Sequence, residues 1–142
     1  MNSDLLLAKE ELKKDDRLTA VLVKDGKVLS KKNTRGIRPV IELVDEFGSK
    51  LQGCVLADKV IGKAAAMICA AHEIEGVFAK VISLEAKKIL EGQSIEVDYE
   101  RIVPYILNRN KDGRCPMEKL SESAGDYNEL IKKIMAFLKT SR

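Results

Sequence analysis

Tryptophan is absent from this chain, and aromatic residues make up only 4% of it. The core must therefore be aliphatic, filled by Val, Ile, Leu and Ala. The same shortage removes the stacking platforms on which single-strand nucleic-acid binders rest their bases. Histidine occurs once, as His72, and cysteine three times, as Cys54, Cys69 and Cys115. An odd number of cysteines at no framework spacing reads as free thiols in a reducing compartment. Cys69 and His72 have a Cys-x-x-His spacing, but no second pair exists to complete a tetrahedral site, so no metal is expected. Charge of one sign is scarce too. The 25 basic and 22 acidic residues leave a net +3, short of the clustered excess of a nucleic-acid binder. No apolar stretch reaches membrane-spanning length, and Leu5-Leu6-Leu7-Ala8 is too short for a signal segment. The expectation is a cytoplasmic protein with neither nucleic acid nor membrane as partner.

What is present suits one domain over residues 1–142. That length can bury a core without disulfides or metal. Apolar residues at 45% and charged residues at 33% mark a globular chain. No repeat, low-complexity tract or linker divides it.

The elements follow through short connections. Ser3 is placed to cap a first helix reaching about Lys14, with Leu5, Ala8 and Leu12 on one face. Thr19 to Val23 reads as a strand, Asp25-Gly26 as a hairpin turn, and Lys27 to Lys31 as the return strand. Pro39 suits the first turn of a second helix, whose stripe is Val40, Leu43, Val44 and Phe47. Gly53-Cys54-Val55-Leu56-Ala57 is a continuous apolar run, the mark of a central strand covered on both faces. A helix apolar nearly all round follows from about Val60 to His72. Such a helix is enclosed by its own domain or by a partner subunit. Val77 to Ile82 is another buried strand, and Ser83 caps a helix from Leu84 to Glu91. Ser94 to Glu100 alternates as a half-exposed edge strand, its acidic face resisting edge-to-edge pairing. Arg101 to Leu107 is ambiguous. Asn108 to Lys119 reads as a polar loop. Asp126 and Glu129 form a capping box before a last helix. A hairpin followed by alternating helix and strand predicts an α/β fold: three layers, α/β/α, around a mixed five-stranded sheet whose later strands are parallel.

Three places carry residue types suited to chemistry. At Asp58-Lys59-Val60-Ile61-Gly62-Lys63 a strand is expected to hand over to a helix, where open α/β sheets bind ligands. Asp58 can cap that helix or accept a proton, Gly62 admits close approach, and Lys63 can meet a phosphate or carboxylate. An N-cap, a packing glycine and a surface charge explain the same residues equally well. Asn33-Thr34-Arg35-Gly36 precedes another helix start. If the two strands are parallel neighbours, Arg35 and Arg38 face the same crevice and can pair with an anion. A plain glycine turn with solvated arginines is the competing reading. Cys115 lies beside Arg114 and near Arg109, a setting that can lower a thiol pKa. It lacks a local base, and an inert thiol is the alternative.

Three segments carry a family resemblance: Arg35-Gly36-Ile37-Arg38-Pro39, Asp58 to Ala66, and Asn108-Arg109 with Cys115-Pro116-Met117-Glu118. In these the chain resembles an uncharacterised prokaryotic domain-of-unknown-function family, number 1893, of cytidine-deaminase-like fold. The resemblance implies a hairpin followed by helix–strand units. Zinc deaminases open the first of those helices with His/Cys-x-Glu and the second with Pro-Cys-x-x-Cys. Arg35-Gly36-Ile37 and Asp58-Lys59-Val60 hold neither ligands nor a proton-shuttling Glu. The implied protein is zinc-free and needs no cofactor. Its pocket would take a small anionic or nucleotide-like ligand, with Asp58, Lys63 and Cys115 as reacting groups and Thr34, Arg35, Gly36, Gly62, Asn108 and Arg109 as contacts. Whether it is an enzyme stays open. One alternative is a non-catalytic homo-oligomeric or regulatory module using the Val60–Ala71 helix. Another is sulfur or acyl transfer at Cys115.

Overall fold

The computed structural model describes residues 2–107 and 113–140. Helix α1 (Ser3–Lys13) leads into the hairpin of β1 (Ala20–Lys24) and β2 (Lys27–Lys32). Helix α2 (Arg38–Phe47) and a 3-10 turn (Gly48–Leu51) follow. Strand β3 (Val55–Ile61), helix α3 (Lys63–Ala71), strand β4 (Gly76–Ser83), helix α4 (Leu84–Gly92) and strand β5 (Glu96–Val103) then alternate. Helices α5 (Pro116–Ser123) and α6 (Tyr127–Thr140) close the chain.

The sheet order is β2-β1-β3-β4-β5. β1 runs antiparallel to β2 and β3, while β3, β4 and β5 are mutually parallel. The mixed five-stranded sheet of a three-layer α/β/α fold is thus realised. From β3 to β5 the chain steps along the sheet in one direction. Right-handed crossovers then put α3 and α4 on the same face. That face holds the larger core, which also takes Val40 and Leu43 of α2, Met117 of α5, and Leu130 and Ile134 of α6. The other face belongs to α1, whose Leu5, Ala8 and Leu12 bury against Val21, Val23, Val55, Ala57 and Phe78.

Local chemistry explains most element ends. Asp25 and Gly26 both take positive φ, at 52° and 76°, as the tight hairpin turn requires. The Asp4 carboxylate accepts from both turn amides, Asp25 N at 3.0 Å and Gly26 N at 2.8 Å, so α1 clamps the hairpin. Ser83 Oγ accepts from Ala86 N at the start of α4. Asp126 Oδ1 accepts from Glu129 N, and Glu129 Oε2 accepts from Gly125 N, at the start of α6.

Four boundaries differ from expectation. Asn2, not Ser3, caps α1, its side chain accepting from Asp4 N and Leu5 N. β3 does not stop at Ala57 but runs through Asp58 to Ile61, and α3 starts at Lys63 rather than Val60. Arg101–Val103 extend β5, paired with Val81–Ser83. The expected polar loop holds α5, a helix whose inward face is Met117, Glu118 and Ser121. Two polar members of three hide that face from any hydrophobic-periodicity test.

Helix α3, apolar nearly all round, is enclosed by its own chain: it packs against α4, α5 and α6. Edge strand β5 keeps its acidic residues, and α1 answers them. Lys9 pairs with Asp98 at 3.1 Å and Lys13 with Glu100 at 2.5 Å. Among the described residues no helix is long and apolar enough to cross a membrane.

Candidate functional site

The carboxyl ends of β3, β4 and β5 gather the residues of interest. Gly62 separates β3 from α3. Its backbone is extended, with φ −100° and ψ −174°, so conformation does not demand glycine there. Space does. A Cβ at Gly62 would sit 2.7 Å from Glu118 Oε1 and 3.1 Å from Ile106 Cγ1. The close approach that a glycine permits is made here by the carboxylate of α5.

Glu118 is 3% exposed. Its Oε1 accepts from Ile106 N at 3.4 Å, a long bond. It forms no ion pair among the described residues. The nearby Arg114 is engaged elsewhere: its guanidinium pairs with Glu122 and stacks 5.8 Å from the Tyr105 ring centroid. Arg114 Nε is buried without a partner.

These groups wall a cavity of about 380 Å³, lined by Lys63, Glu85, Pro104, Tyr105, Arg114, Glu118 and Glu122. It is large enough for a small metabolite. Lys63 opens α3 and reaches this cavity, with no hydrogen bond or ion pair among the described residues. Its charge acts through space on Glu122, whose carboxyl is held below the usual range first by the Arg114 bond and only lastly by Lys63.

Asp58 stands elsewhere. It was expected to cap α3, but it lies inside β3, between Ala20 of β1 and Ala79 of β4. Two alanine neighbours leave room for a polar side chain in an otherwise apolar layer. Its Oδ1 accepts from Val60 N at 3.2 Å, and its Oδ2 is buried without a partner. Burial pushes the Asp58 carboxyl up to about 8, against the smaller pull of the Val60 and Lys59 amides. Burial, with a lesser contribution from Asp58, pushes the Cys69 thiol up to about 12. Asp58 does not line the cavity.

The second predicted crevice does not form as expected. β2 and β3 point the same way, but β1 lies between them, so the turn after β2 starts about 10 Å from β3. Thr34 Oγ1 donates to Glu42 Oε1 at 3.0 Å. Arg35 is exposed, and Gly36 takes a left-handed φ of 67° in open space. None of the three lines the cavity. Cys115 is the N-cap of α5. Its N–H donates to Ile106 O at 2.8 Å, and its side chain packs, half-buried, on the larger core. It too is absent from the cavity wall. Asn108 and Arg109 lie outside the described residues. Of the predicted residues, then, Lys63 and Gly62 meet at this corner. Glu85, Tyr105 and Glu122 were missed, and Glu118 was named only within the Cys115-Pro116-Met117-Glu118 segment, without a role. Pro116 at the first helical position, followed by an acid in the first turn, was the available signal for α5. Among the described residues no three His, Cys, Asp or Glu side chains are grouped to hold a metal.

Comparison with known proteins places the chain. Residues 7–138 match the model of the TM1506 family, described as a domain of unknown function (DUF1893). A crystal structure of a DUF1893 family protein, TM1506 from Thermotoga maritima, is 26% identical with a TM-score of 0.83, over 96% of this chain and 91% of that one. RibD of Acinetobacter baumannii is 15% identical with a TM-score of 0.53, over 68% of this chain and 35% of that one. A dCMP deaminase from cyanophage S-TIM5 is 12% identical with a TM-score of 0.49, over 68% of this chain and 94% of that one. No curated protein matches. The architecture is cytidine-deaminase-like, and the chain belongs to the DUF1893 family.

Proposed function

We propose that this DUF1893 protein binds a small anionic or nucleotide-like ligand in the cavity at the carboxyl ends of β3, β4 and β5. The observation that carries the reading is Lys63: an ammonium group at the head of α3, without a protein partner among the described residues, opening into about 380 Å³ of space. Ligands of open α/β sheets bind beyond the carboxyl ends of strands, and the positive end of a helix adds to the attraction for an anion. Tyr105, 45% exposed at the wall, offers a ring surface. Glu85 offers an acceptor for a ligand N–H.

The reading is one of binding, with Lys63 as the anion-meeting group. Asp58 is not on the wall of this cavity, so the reading gives it no part in binding. Cys115 faces the core rather than the cavity, which leaves thiol transfer without a supporting contact. The homo-oligomeric alternative gains no support from α3, which packs against α4, α5 and α6 of its own chain.

A thermal-shift screen of nucleotides and phosphorylated metabolites tests the proposal. A ligand present at a hundredfold excess over its Kd stabilises by about 2.7 kcal/mol, a rise of several degrees in Tm. The expected result is such a rise for wild type and its loss in Lys63→Ala. Equal response of the two proteins to every compound overturns it.

A further inference from the structure

We infer that Glu118 is an internal anion that closes the positive end of α3, and that an incoming anionic group must displace it to bind there. The inference rests on the cavity reading above and concerns how that site is regulated.

A carboxylate that is 3% exposed is costly unless strongly compensated. Glu118 has one long hydrogen bond, from Ile106 N, and no ion pair among the described residues. The Arg114 guanidinium, although bonded to Glu122, also acts on Glu118 through space, and the rest of the carboxylate's compensation comes from where it stands. Oε1 occupies the space of the missing Gly62 side chain, which sets the charge against the N-terminus of α3. That terminus lacks a side-chain cap: Gly62 has none to offer, and Asp58 bonds Val60 instead. The α3 terminus is therefore unsatisfied on its own account, and Glu118 is satisfied only by one long bond. The bare amides of α3 want an anion, and the buried carboxylate wants donors.

The element that delivers Glu118 is short, and its Met117 and Ser121 are buried beside it. α5 has eight residues. It is anchored at its start by the Cys115 N–H to Ile106 O bond and the Leu107–Arg114 bridge. Turning the Glu118 side chain aside leaves α5 in place and exposes amides that already border Lys63. A phosphate or carboxylate arriving at Lys63 takes over the donors that Glu118 gives up.

Inorganic phosphate is the probe, and the amide NMR signals of Lys63, Ala64 and Ala65 are the readout. Glu118→Ala removes the competitor, and Gly62→Ala keeps its charge but forces it out of the space it uses. Both are expected to bind phosphate at those amides about tenfold more tightly than wild type, the worth of one charge-assisted hydrogen bond. Glu118→Gln, with the shape kept and the charge removed, should gain less but in the same direction. If none of the three binds phosphate more tightly than wild type, the internal-anion reading is wrong. Should Glu118→Ala fail to fold, Gly62→Ala and Glu118→Gln decide alone. Adding Lys63→Ala to each protein separates the two readings. Binding that needs Lys63 but ignores Glu118 overturns only the internal anion. A gain that survives the loss of Lys63 overturns only the role given to that lysine.

Discussion

Both faces of the sheet carry paired charges at their surface, but only one also buries acids. On the α1 face, carboxylates and ammonium groups answer one another. Lys9 meets Asp98, Lys13 meets Glu100, and Asp4 takes both amides of the hairpin turn. These groups lie near solvent, where an imperfect pair costs little. On the face that carries α3 and α5, Asp58 and Glu118 are each 3% exposed. Neither has an ion pair among the described residues, and Lys63, on the cavity wall with Glu118, has none among them either. Desolvation is the dominant cost for these two buried carboxyls, yet they have the fewest partners to offset it. The contrast separates charges that hold the fold from charges that work against it. The second kind marks the place to look for function.

The sharpest test of that contrast is Asp58→Asn. The folded carboxyl, pushed up to about 8 from an ordinary 3.8, keeps its proton across a range where the unfolded chain has lost it. The folded state then binds the extra proton, so stability is full below about pH 4, falls as pH rises and levels off above about pH 8. The neutral asparagine should flatten this profile. Urea unfolding should find the variant close to wild type at pH 4 and more stable at pH 8, by on the order of 3–5 kcal/mol. Parallel profiles for the two proteins would contradict the account of Asp58.

A smaller effect is expected from Gly62→Ala. The added methyl would fall 2.7 Å from Glu118 Oε1, and overpacking of this kind costs about 1–3 kcal/mol. Most of that cost should vanish when Glu118→Ala is combined with it, because the clash partner is gone. A double-mutant cycle measures the coupling, and a coupling near zero would place Glu118 elsewhere. The smallest effect belongs to the well-paired face. Asp4→Ala removes two charge-assisted bonds to the hairpin turn but leaves no buried charge behind, so a loss of about 1–2 kcal/mol is expected. A larger loss than that of Gly62→Ala would erase the distinction between the faces.

The sequence was readable where structure is locally determined. Asp25-Gly26 marked the hairpin because two positive φ angles suit few other pairs. Ser83 and the Asp126–Glu129 pair marked helix starts because their bonds span only a few residues. What escaped was set by distant neighbours. Asp58 looked like the end of a strand because a charge usually ends an apolar run. Only Ala20 and Ala79, on two other strands, make room to bury it. Glu118 looked like part of a solvated loop. Its burial depends on Gly62, far back in the chain, and on a helix with two polar residues among its three buried ones. Lys63 was found because a strand–helix junction in an α/β fold points to the correct end of the sheet, even though the junction itself falls later than Asp58.

The anchoring of the amino terminus has a practical consequence. Asn2 donates to Glu96 and Glu75, at the ends of β4 and β5 remote from the cavity. A protein immobilised through that terminus would stand with the cavity directed away from its support. Surface-based binding measurements and affinity supports should therefore use an amino-terminal tether. A carboxyl-terminal one would leave from α6, which packs on the same side of the sheet as α3 and α5.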